Sequence, residues 1–267
     1  MPKLSIITIN LNNAAGLQRT MESVFEQTFT DYEYIIIDGG STDGSKELIE
    51  EHQNKLGYWV SEKDGGIFNA QNKGILKSDG KYLLFLNSGD NFYDENILKY
   101  VNSFLDSTGI VYGDILVKEP DKSWVKKYNE QISFDYFTKD TLPHQASFIK
   151  KSLFKMIGLY DETLQISSDW KFFLEAICKY NVTSKYLDKV IVEYDYSGIS
   201  STPGNWEIIA QERQTIINNE WQYFQNLQKE LEASKKELTL VTQKYNLLSN
   251  SRVVKAYFKI KRFFFTR

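Results

Sequence analysis

The sequence predicts an α/β fold, a doubly wound and mostly parallel sheet with a C-terminal helical extension. Three observations predict it. Short unbroken apolar runs, typical of strands covered on both faces, alternate with helical segments over the first hundred residues. Polar turns follow these runs, as expected where parallel strands end. Beyond residue 203 the chain has no proline and keeps helical spacing.

The first half of the chain supplies four predicted strands, which are residues 4–9, 34–37, 58–61 and 82–86. Helical spacing of apolar residues separates them, at 15–26, 45–52 and 67–77. Strands joined by helices form parallel pairs with right-handed crossovers. We therefore expect Asn10, Asp38 and Asp90, which follow three of these strands, to meet at one edge of the sheet.

Two of these residues are candidates for ligand binding. Asp90 is a hard oxygen ligand suited to Mg²⁺ or Mn²⁺, although for this stretch alone a strand running into a polar turn is the favoured interpretation. Asp38 opens a glycine-rich turn that matches neither a dinucleotide fingerprint nor a P-loop. Its carboxylate either accepts hydrogen bonds from a base or ribose, or only shapes the turn.

The second half predicts further strands at 109–113, on both sides of a turn at Pro120, at 144–149 and at 190–194. An amphipathic helix begins at Ser168 and Asp169. The helix dipole favours a charged carboxylate in this first turn, so Asp169 is either a functional acid or only a capping residue.

A long helical region starts at Trp206. From 224 to 248 its apolar positions are spaced alternately by three and four residues, with the polar Ser234 as the one exception. This heptad seam predicts either a coiled-coil homodimer or an exposed hairpin, or else a helix packed on its own domain. Residues 251–267 hold six basic residues, no acidic residue and five aromatic residues. This basic aromatic tail predicts contact with an anionic membrane surface.

Composition limits the remaining possibilities. The net charge is −3, and without the tail it is −9, so nucleic-acid binding along the body is not expected. Cys178 is the only cysteine, and His52 and His144 are the only histidines. Disulfides and cysteine- or histidine-rich metal sites are therefore not expected. Neither a signal peptide nor a membrane-spanning helix is predicted.

Taken together, the motifs resemble family 2 glycosyltransferases of the GT-A fold over about residues 4–201. The resemblance depends on nine segments in order: SIITINLNN, IIIDGGSTDGS, EKDGGIFNAQNKGI, LLFLNSGD, VYGD, HQASF, GLYDE, SSDWKFFL and GISS. Each segment is weak alone, whereas their order and spacing are specific. The set is most similar to the branch that builds bacterial O-antigen and capsule polysaccharides.

The resemblance implies roles for individual residues. The nucleotide-sugar would be bound by Thr8, Asn10, Asp38, Asp64, Gly65, Asn69, Asn72, Asn87 and Ser88. Asp90 would hold a divalent cation, Mn²⁺ or Mg²⁺, and Asp169 would be the catalytic base. His144 and Gln145 would contact the donor phosphates or the acceptor. The family usually has an acidic residue where Gly89 stands, so cation affinity is expected to be modest.

The expected function is that of an inverting, metal-dependent hexosyl- or N-acetylhexosaminyltransferase that uses a nucleotide-sugar, with UDP favoured. Its acceptor would be a glycan or lipid-linked glycan at the cytoplasmic face of the membrane, where the protein would be peripherally associated. The alternatives are a non-catalytic assembly subunit with a degenerate metal site and a sugar nucleotidyltransferase. The expected domains are a GT-A domain at 1–204, with halves at about 1–113 and 114–204, then the helix at 205–250 and the tail at 251–267.

Overall fold

The computed structural model describes residues 1–106, 108–196, 198–202 and 204–265, without the side chains of residues 200, 258, 260 and 262–265. The chain divides into two compact units, Met1–Thr215 and Ile216–Arg267. Most of the predicted elements fall in the first unit.

Nine strands form a single sheet in the described residues. They are β1 (Leu4–Asn10), β2 (Tyr32–Asp38), β3 (Tyr58–Ser61), β4 (Tyr82–Phe85), β5 (Asn91–Phe92), β6 (Ile110–Lys118), β7 (Ser123–Lys126), β8 (Ser147–Lys150) and β9 (Ser184–Asp195). The path through the sheet is β3-β2-β1-β4-β8-β6-β9-β5, and β7 pairs with β6 outside this path.

The α-helices flank and follow this sheet. They are α1 (Ala14–Phe25), α2 (Ser45–Glu51), α3 (Ile67–Lys77), α4 (Ile97–Asn102), α5 (Phe134–Phe137), α6 (Ser152–Met156), α7 (Ser168–Leu174), α8 (Asn205–Glu220), α9 (Gln222–Asn250) and α10 (Arg252–Phe265). A π-helical turn, Glu175–Lys179, continues directly from α7.

The predicted α/β fold is confirmed. β1 to β4 pair in parallel, because the helices between them return the chain to the same end of the sheet. The second half is mixed: β8 runs antiparallel to both β4 and β6, whereas β9 runs parallel to β6. The predicted strand at 144–149 starts later than expected, since His144–Ala146 form a 3₁₀ turn before β8.

Strand register positions the polar turns. Asn10 lies opposite Asp38 at the carboxyl ends of β1 and β2. The backbone N–H of Ser88 donates to the carbonyl of Ile9 at 3.1 Å, so the turn after β4 lies at the same edge. β1 and β4 are buried on both faces, which explains why their sequences are largely apolar without alternation.

Trp170 fixes the start of α7. Its side chain is completely buried, and its indole Nε1 donates to the carbonyl oxygen of Phe137 at 2.9 Å. Phe172 of the same helix stacks on Phe154, with 4.4 Å between the ring centroids. These contacts hold α7, whose first turn carries Asp169, against α5 and α6.

The second unit contains α9 and α10. The α9 seam side chains, Phe224, Leu227, Leu231, Leu238, Val241, Tyr245 and Leu248, are between 38% and 68% exposed. In α10 the aromatic residues Phe258, Phe263, Phe264 and Phe265 lie outside the described side chains, as does the whole of Arg267. Within the described residues no helix is both long enough and apolar enough to cross a bilayer.

Candidate active site

A cavity of about 510 Å³ lies where the turn after β4 meets the start of α7. Both acidic residues singled out from the sequence line it, Asp90 from the turn and Asp169 from the helix. His144 and Gln145, at the 3₁₀ turn before β8, lie in the same wall. Residues separated by nearly eighty positions therefore share one concave site, which is the usual form of a small-molecule site.

Asp90 is held rigidly in the turn. Its Oδ1 accepts from the backbone N–H of Asp195 at 3.0 Å, and its carbonyl oxygen accepts from the Thr20 hydroxyl at 2.8 Å. The same hydroxyl accepts from the Gly89 N–H at 2.9 Å. Burial raises the pKa of Asp90 to about 7, because the attraction of His144 offsets the loss of hydration only in part. A cation beside Asp90 would stabilise the charged form.

His144 contacts Asp169 directly. The imidazole Nδ1 lies 3.2 Å from Asp169 Oδ2, where an ionised carboxylate can only accept a hydrogen bond. On the other side of the ring, Nε2 lies 3.2 Å from the Asn87 amide nitrogen. Burial lowers the pKa of His144, but Asp169 and then Asp90 outweigh it and raise this pKa above its usual value. The imidazole is therefore oriented between Asp169 and Asn87, and it is a direct partner of Asp169.

The residues around Asp90 suit a divalent cation with few protein ligands. The Asn87 amide oxygen is buried and has no hydrogen-bond partner, so the turn contains an unused oxygen ligand beside a carboxylate. No three His, Cys, Asp or Glu side chains converge as a metal cage within the described part of the chain. This fits Mg²⁺ or Mn²⁺, which are commonly held by one or two carboxylates together with water and substrate phosphates.

A second polar network, separate from the Asp90 turn, surrounds Asp38 at the end of β2. The Asp38 carboxylate is completely buried and accepts from the Asn10 amide at 2.7 Å, from the Ser61 hydroxyl at 2.6 Å, and from the hydroxyl and N–H of Ser41. Burial opposes ionisation, but these donors together lower the pKa of Asp38. The carboxylate is therefore occupied by protein donors. Asn10 in turn keeps a buried amide oxygen without a partner.

Thr8 does not line the pocket. Its side chain is completely buried, and its hydroxyl donates to the Leu86 carbonyl at 2.6 Å. The hydroxyl thus ties β1 to the end of β4, and the contact of Thr8 with a nucleotide stays a prediction.

Asp64 and Gly65 lie next to the glycine-rich turn. A Cβ atom at Gly39 would fall 2.8 Å from Asp64 Oδ2, so only glycine permits this approach. Asp64 Oδ1 accepts from the Gly66 N–H at 2.9 Å, and Gly65 donates its N–H to the Asn69 amide oxygen. The structure thus brings Asp64 and Gly65 to the Asp38 end of the sheet edge.

The side chains of Asn69 and Asn72 are directed towards Glu162. Both amide nitrogens donate to the Glu162 carboxylate, at 2.9 and 2.8 Å. Asn72 is buried and also exchanges two hydrogen bonds with the backbone of Tyr160. The Asn72 amide thus holds the segment before α7 against α3, and its contact with a nucleotide stays a prediction.

Sequence reasoning missed two charged residues of this site. Arg213 lines the cavity with its guanidinium carbon 5.2 Å from the Trp170 ring centroid, and its Nε is buried without a hydrogen-bond partner. Asp195, the last residue of β9, lines this cavity and an adjoining one of about 750 Å³. Its position at a strand end was a usable signal, whereas nothing in the sequence marked Arg213.

Comparison with known proteins agrees with this geometry. The Glycosyl transferase family 2 domain matches residues 5–156. A PGL/p-HBAD biosynthesis glycosyltransferase of Mycobacterium bovis is 30% identical over 209 residues, which cover 75% of this chain and 80% of that protein.

Two solved structures share the fold. S. aureus TarS 1-349 in complex with UDP-GlcNAc has a TM-score of 0.63 at 18% identity, covering 81% of this chain and 67% of that one. In its UDP complex the match covers only 60% of the TarS chain. The mannosyltransferase PcManGT from Pyrobaculum calidifontis, in complex with GDP-Man and Mn²⁺, has a TM-score of 0.58 at 12% identity, covering 100% of this chain and 88% of that one.

The fold and the matched domain together define a glycosyltransferase with a GT-A-type fold. The chain belongs to glycosyltransferase family 2.

Proposed function

We propose that this glycosyltransferase is an inverting, metal-dependent hexosyl- or N-acetylhexosaminyltransferase. It takes its sugar from a nucleotide-sugar, with UDP as the favoured nucleotide, and passes it to a glycan or lipid-linked acceptor in surface polysaccharide synthesis, of the O-antigen or capsule kind. The observation that carries this proposal is the meeting of Asp90 and Asp169 in one cavity, with His144 in direct contact with Asp169. The UDP-GlcNAc named for TarS supports the choice of donor.

The residues have distinct roles in the proposed reaction. The acceptor oxygen forms a bond to the sugar C1 while the bond from C1 to the diphosphate breaks, and the diphosphate leaves with the electron pair. Asp169 accepts the proton of the attacking hydroxyl, and His144 orients the Asp169 carboxylate through Nδ1. A single displacement of this kind inverts the anomeric carbon.

Asp90 and the Asn87 amide oxygen would hold the divalent cation. A bound cation supplies neutralisation of the charge that develops on the leaving diphosphate. Ser88, Gln145 and Arg213 line the same cavity and are proposed to contact the donor phosphates or the acceptor. Asp38, Asn10, Asp64, Gly65 and Asn69 are proposed to shape the nucleotide end. The buried Asn10 amide oxygen, which has no partner, is proposed to accept from a base N–H.

Calorimetry with UDP in the presence and absence of Mn²⁺ tests this function, followed by hydrolysis assays against a panel of nucleotide-sugars. Binding that requires Mn²⁺, together with hydrolysis of one donor, supports the proposal. Absence of nucleotide binding would favour the non-catalytic assembly subunit. Pyrophosphate-dependent formation of a nucleotide-sugar would instead identify a nucleotidyltransferase.

The basic tail at 251–267 is proposed to bring the enzyme to the cytoplasmic membrane surface. Each cation near an anionic bilayer contributes about 1 kcal/mol of binding free energy. Deletion of residues 251–267 should therefore release the protein from anionic vesicles in a flotation assay, while donor hydrolysis in solution is retained. A matched variant that replaces Phe263, Phe264 and Phe265 by Ala separates the aromatic from the basic contribution. Unchanged flotation of the deletion variant would contradict the proposal.

The heptads at 224–248 are proposed to form a coiled-coil homodimer. Replacing Leu231 and Leu238 by Ala should lower the mass measured by sedimentation equilibrium from about two copies to one copy of the 31.1 kDa chain, because both lie in the seam. Leu240→Ala with Leu247→Ala is the matched control, since these leucines are similarly exposed but lie outside the seam. Equal masses for both variants would count against the dimer.

We also propose domain boundaries at 204/205, between the glycosyltransferase domain and the long helix, and at 250/251, between that helix and the basic tail.

A further inference from the structure

The ladder between β5 and β9 places an acidic residue directly over the Asp90 turn. These strands are antiparallel, with Asn91 opposite Glu193 and Phe92 opposite Val192. Continuing this register by two residues places Asp195 across from Gly89. The backbone N–H of Asp195 donates to Asp90 Oδ1 at 3.0 Å, so the two chain segments remain in contact beyond the last paired residues.

Gly89 makes room for the Asp195 side chain. A Cβ atom at position 89 would lie 3.1 Å from Asp195 Oδ2, which is tighter than nine in ten real Cβ contacts, so the carboxylate would have to shift. Gly89 also has a φ of +107°, a conformation that other residues rarely adopt. The volume beside the turn is therefore filled by a carboxylate from the opposite strand.

This carboxylate is accessible to ligands. The Asp195 side chain is 31% exposed, and it lines both the cavity that holds Asp90 and Asp169 and the adjoining larger cavity. Asn87 belongs to the same turn and lines the first cavity, and its buried amide oxygen has no hydrogen-bond partner. Asp90, Asp195 and Asn87 thus line the same cavity.

The geometry points to Asp195 as the second carboxylate of the divalent-cation site, together with Asp90 and the Asn87 amide oxygen. The inference rests on the proposed function, because it assigns a ligand to the cation that the transfer reaction uses. Water and the donor diphosphate complete the coordination, as is usual for Mg²⁺ and Mn²⁺.

Arg19 offers a competing structural role. Its guanidinium lies 3.5 Å from Asp195 Oδ2, while its own side chain is 52% exposed. Exposed ion pairs at such distances contribute little to stability. If Asp195 served only this ion pair, removing Arg19 would have the same effect as removing Asp195.

The experiment measures Mn²⁺ binding in the presence of UDP, by the loss of the free-Mn²⁺ signal in electron paramagnetic resonance. Asp195→Asn and Asp195→Ser should each weaken Mn²⁺ binding by about tenfold or more. Glu193→Gln is the matched control, since Glu193 is also acidic, lies on the same strand and lines only the larger cavity. Glu193→Gln and Arg19→Gln should both bind Mn²⁺ as the unmodified protein does. Circular dichroism checks that each variant is folded.

The possible outcomes distinguish a failure of the proposed metal dependence from a failure of the role assigned to Asp195 alone. If the unmodified protein binds no Mn²⁺ with UDP, the proposed metal dependence fails, and the inference fails with it. If the unmodified protein binds Mn²⁺ and Asp90→Asn loses it, while either folded Asp195 variant binds normally, the proposed function stands and only the role of Asp195 is overturned. Equal losses from Arg19→Gln and Asp195→Asn would also overturn it, in favour of the ion pair.

Discussion

Asp169→Asn should lower turnover by about 10²-fold or more while leaving donor binding nearly intact. The amide keeps the size and most hydrogen bonds of the carboxylate but cannot accept the proton of the attacking hydroxyl. Asp169 lies in the first turn of α7, which the buried Trp170 anchors, so the substitution should not move the helix. Steady-state transfer assays, together with calorimetric titration of UDP, give the two quantities separately.

Asp161→Asn is the matched control for this experiment. Asp161 is an acidic residue just before α7, lies outside the catalytic cavity and pairs with Lys171 at 3.3 Å. Asp161→Asn should retain nearly normal turnover.

His144→Gln should lower turnover less than Asp169→Asn does, by about tenfold, with little change in the donor KM. The reason is that it removes the imidazole that orients Asp169. Full turnover in Asp169→Asn would place the base elsewhere.

Asp90→Asn should abolish the Mn²⁺ dependence of nucleotide binding and lower turnover by about 10²-fold or more. Loss of a cation that stabilises the leaving group by several kcal/mol is enough for this effect, since each factor of ten corresponds to about 1.4 kcal/mol. Calorimetry with UDP, repeated with and without Mn²⁺, measures the first effect, and a transfer assay measures the second.

Asp94→Asn controls for the loss of a charge in the same region. Asp94 lies four residues further on, is partly exposed and pairs with Lys189 at 3.4 Å. Its substitution should leave both measurements unchanged. An Asp90→Asn variant that still binds UDP more tightly when Mn²⁺ is added would show that the cation site lies elsewhere.

The sequence was sufficient to predict the sheet edge. Asn10, Asp38 and Asp90 follow apolar strands, and parallel strands must end together, so their common location follows from local pattern alone. The shared cavity of Asp90 and Asp169 was expected only from the resemblance to a family. Nothing in the spacing of these two residues shows which helix returns to the sheet edge.

The side-chain contacts that the sequence did not predict have a common physical cause. Asn72 was assigned to the nucleotide, but its amide bonds to Tyr160 and Glu162, which lie about ninety residues away. Asp195 was overlooked because its position depends on the register between β5 and β9. Side-chain roles that depend on such non-local pairings cannot be read from periodicity, which reports only the face a residue occupies.

The saturated carboxylate of Asp38 has a consequence for behaviour in acid. Its donors come from β1, from the loop after β2 and from β3, so one ionised carboxylate links three neighbouring chain segments by hydrogen bonds. Folding lowers the pKa of Asp38. The stability that its ionised form contributes is therefore fully present above the pKa of the unfolded state, about 3.9, and is lost as the pH falls through the pKa of the folded state. Acid unfolding should therefore loosen these strand ends only below about pH 4, and the enzyme should tolerate mildly acidic surroundings without fraying at this edge.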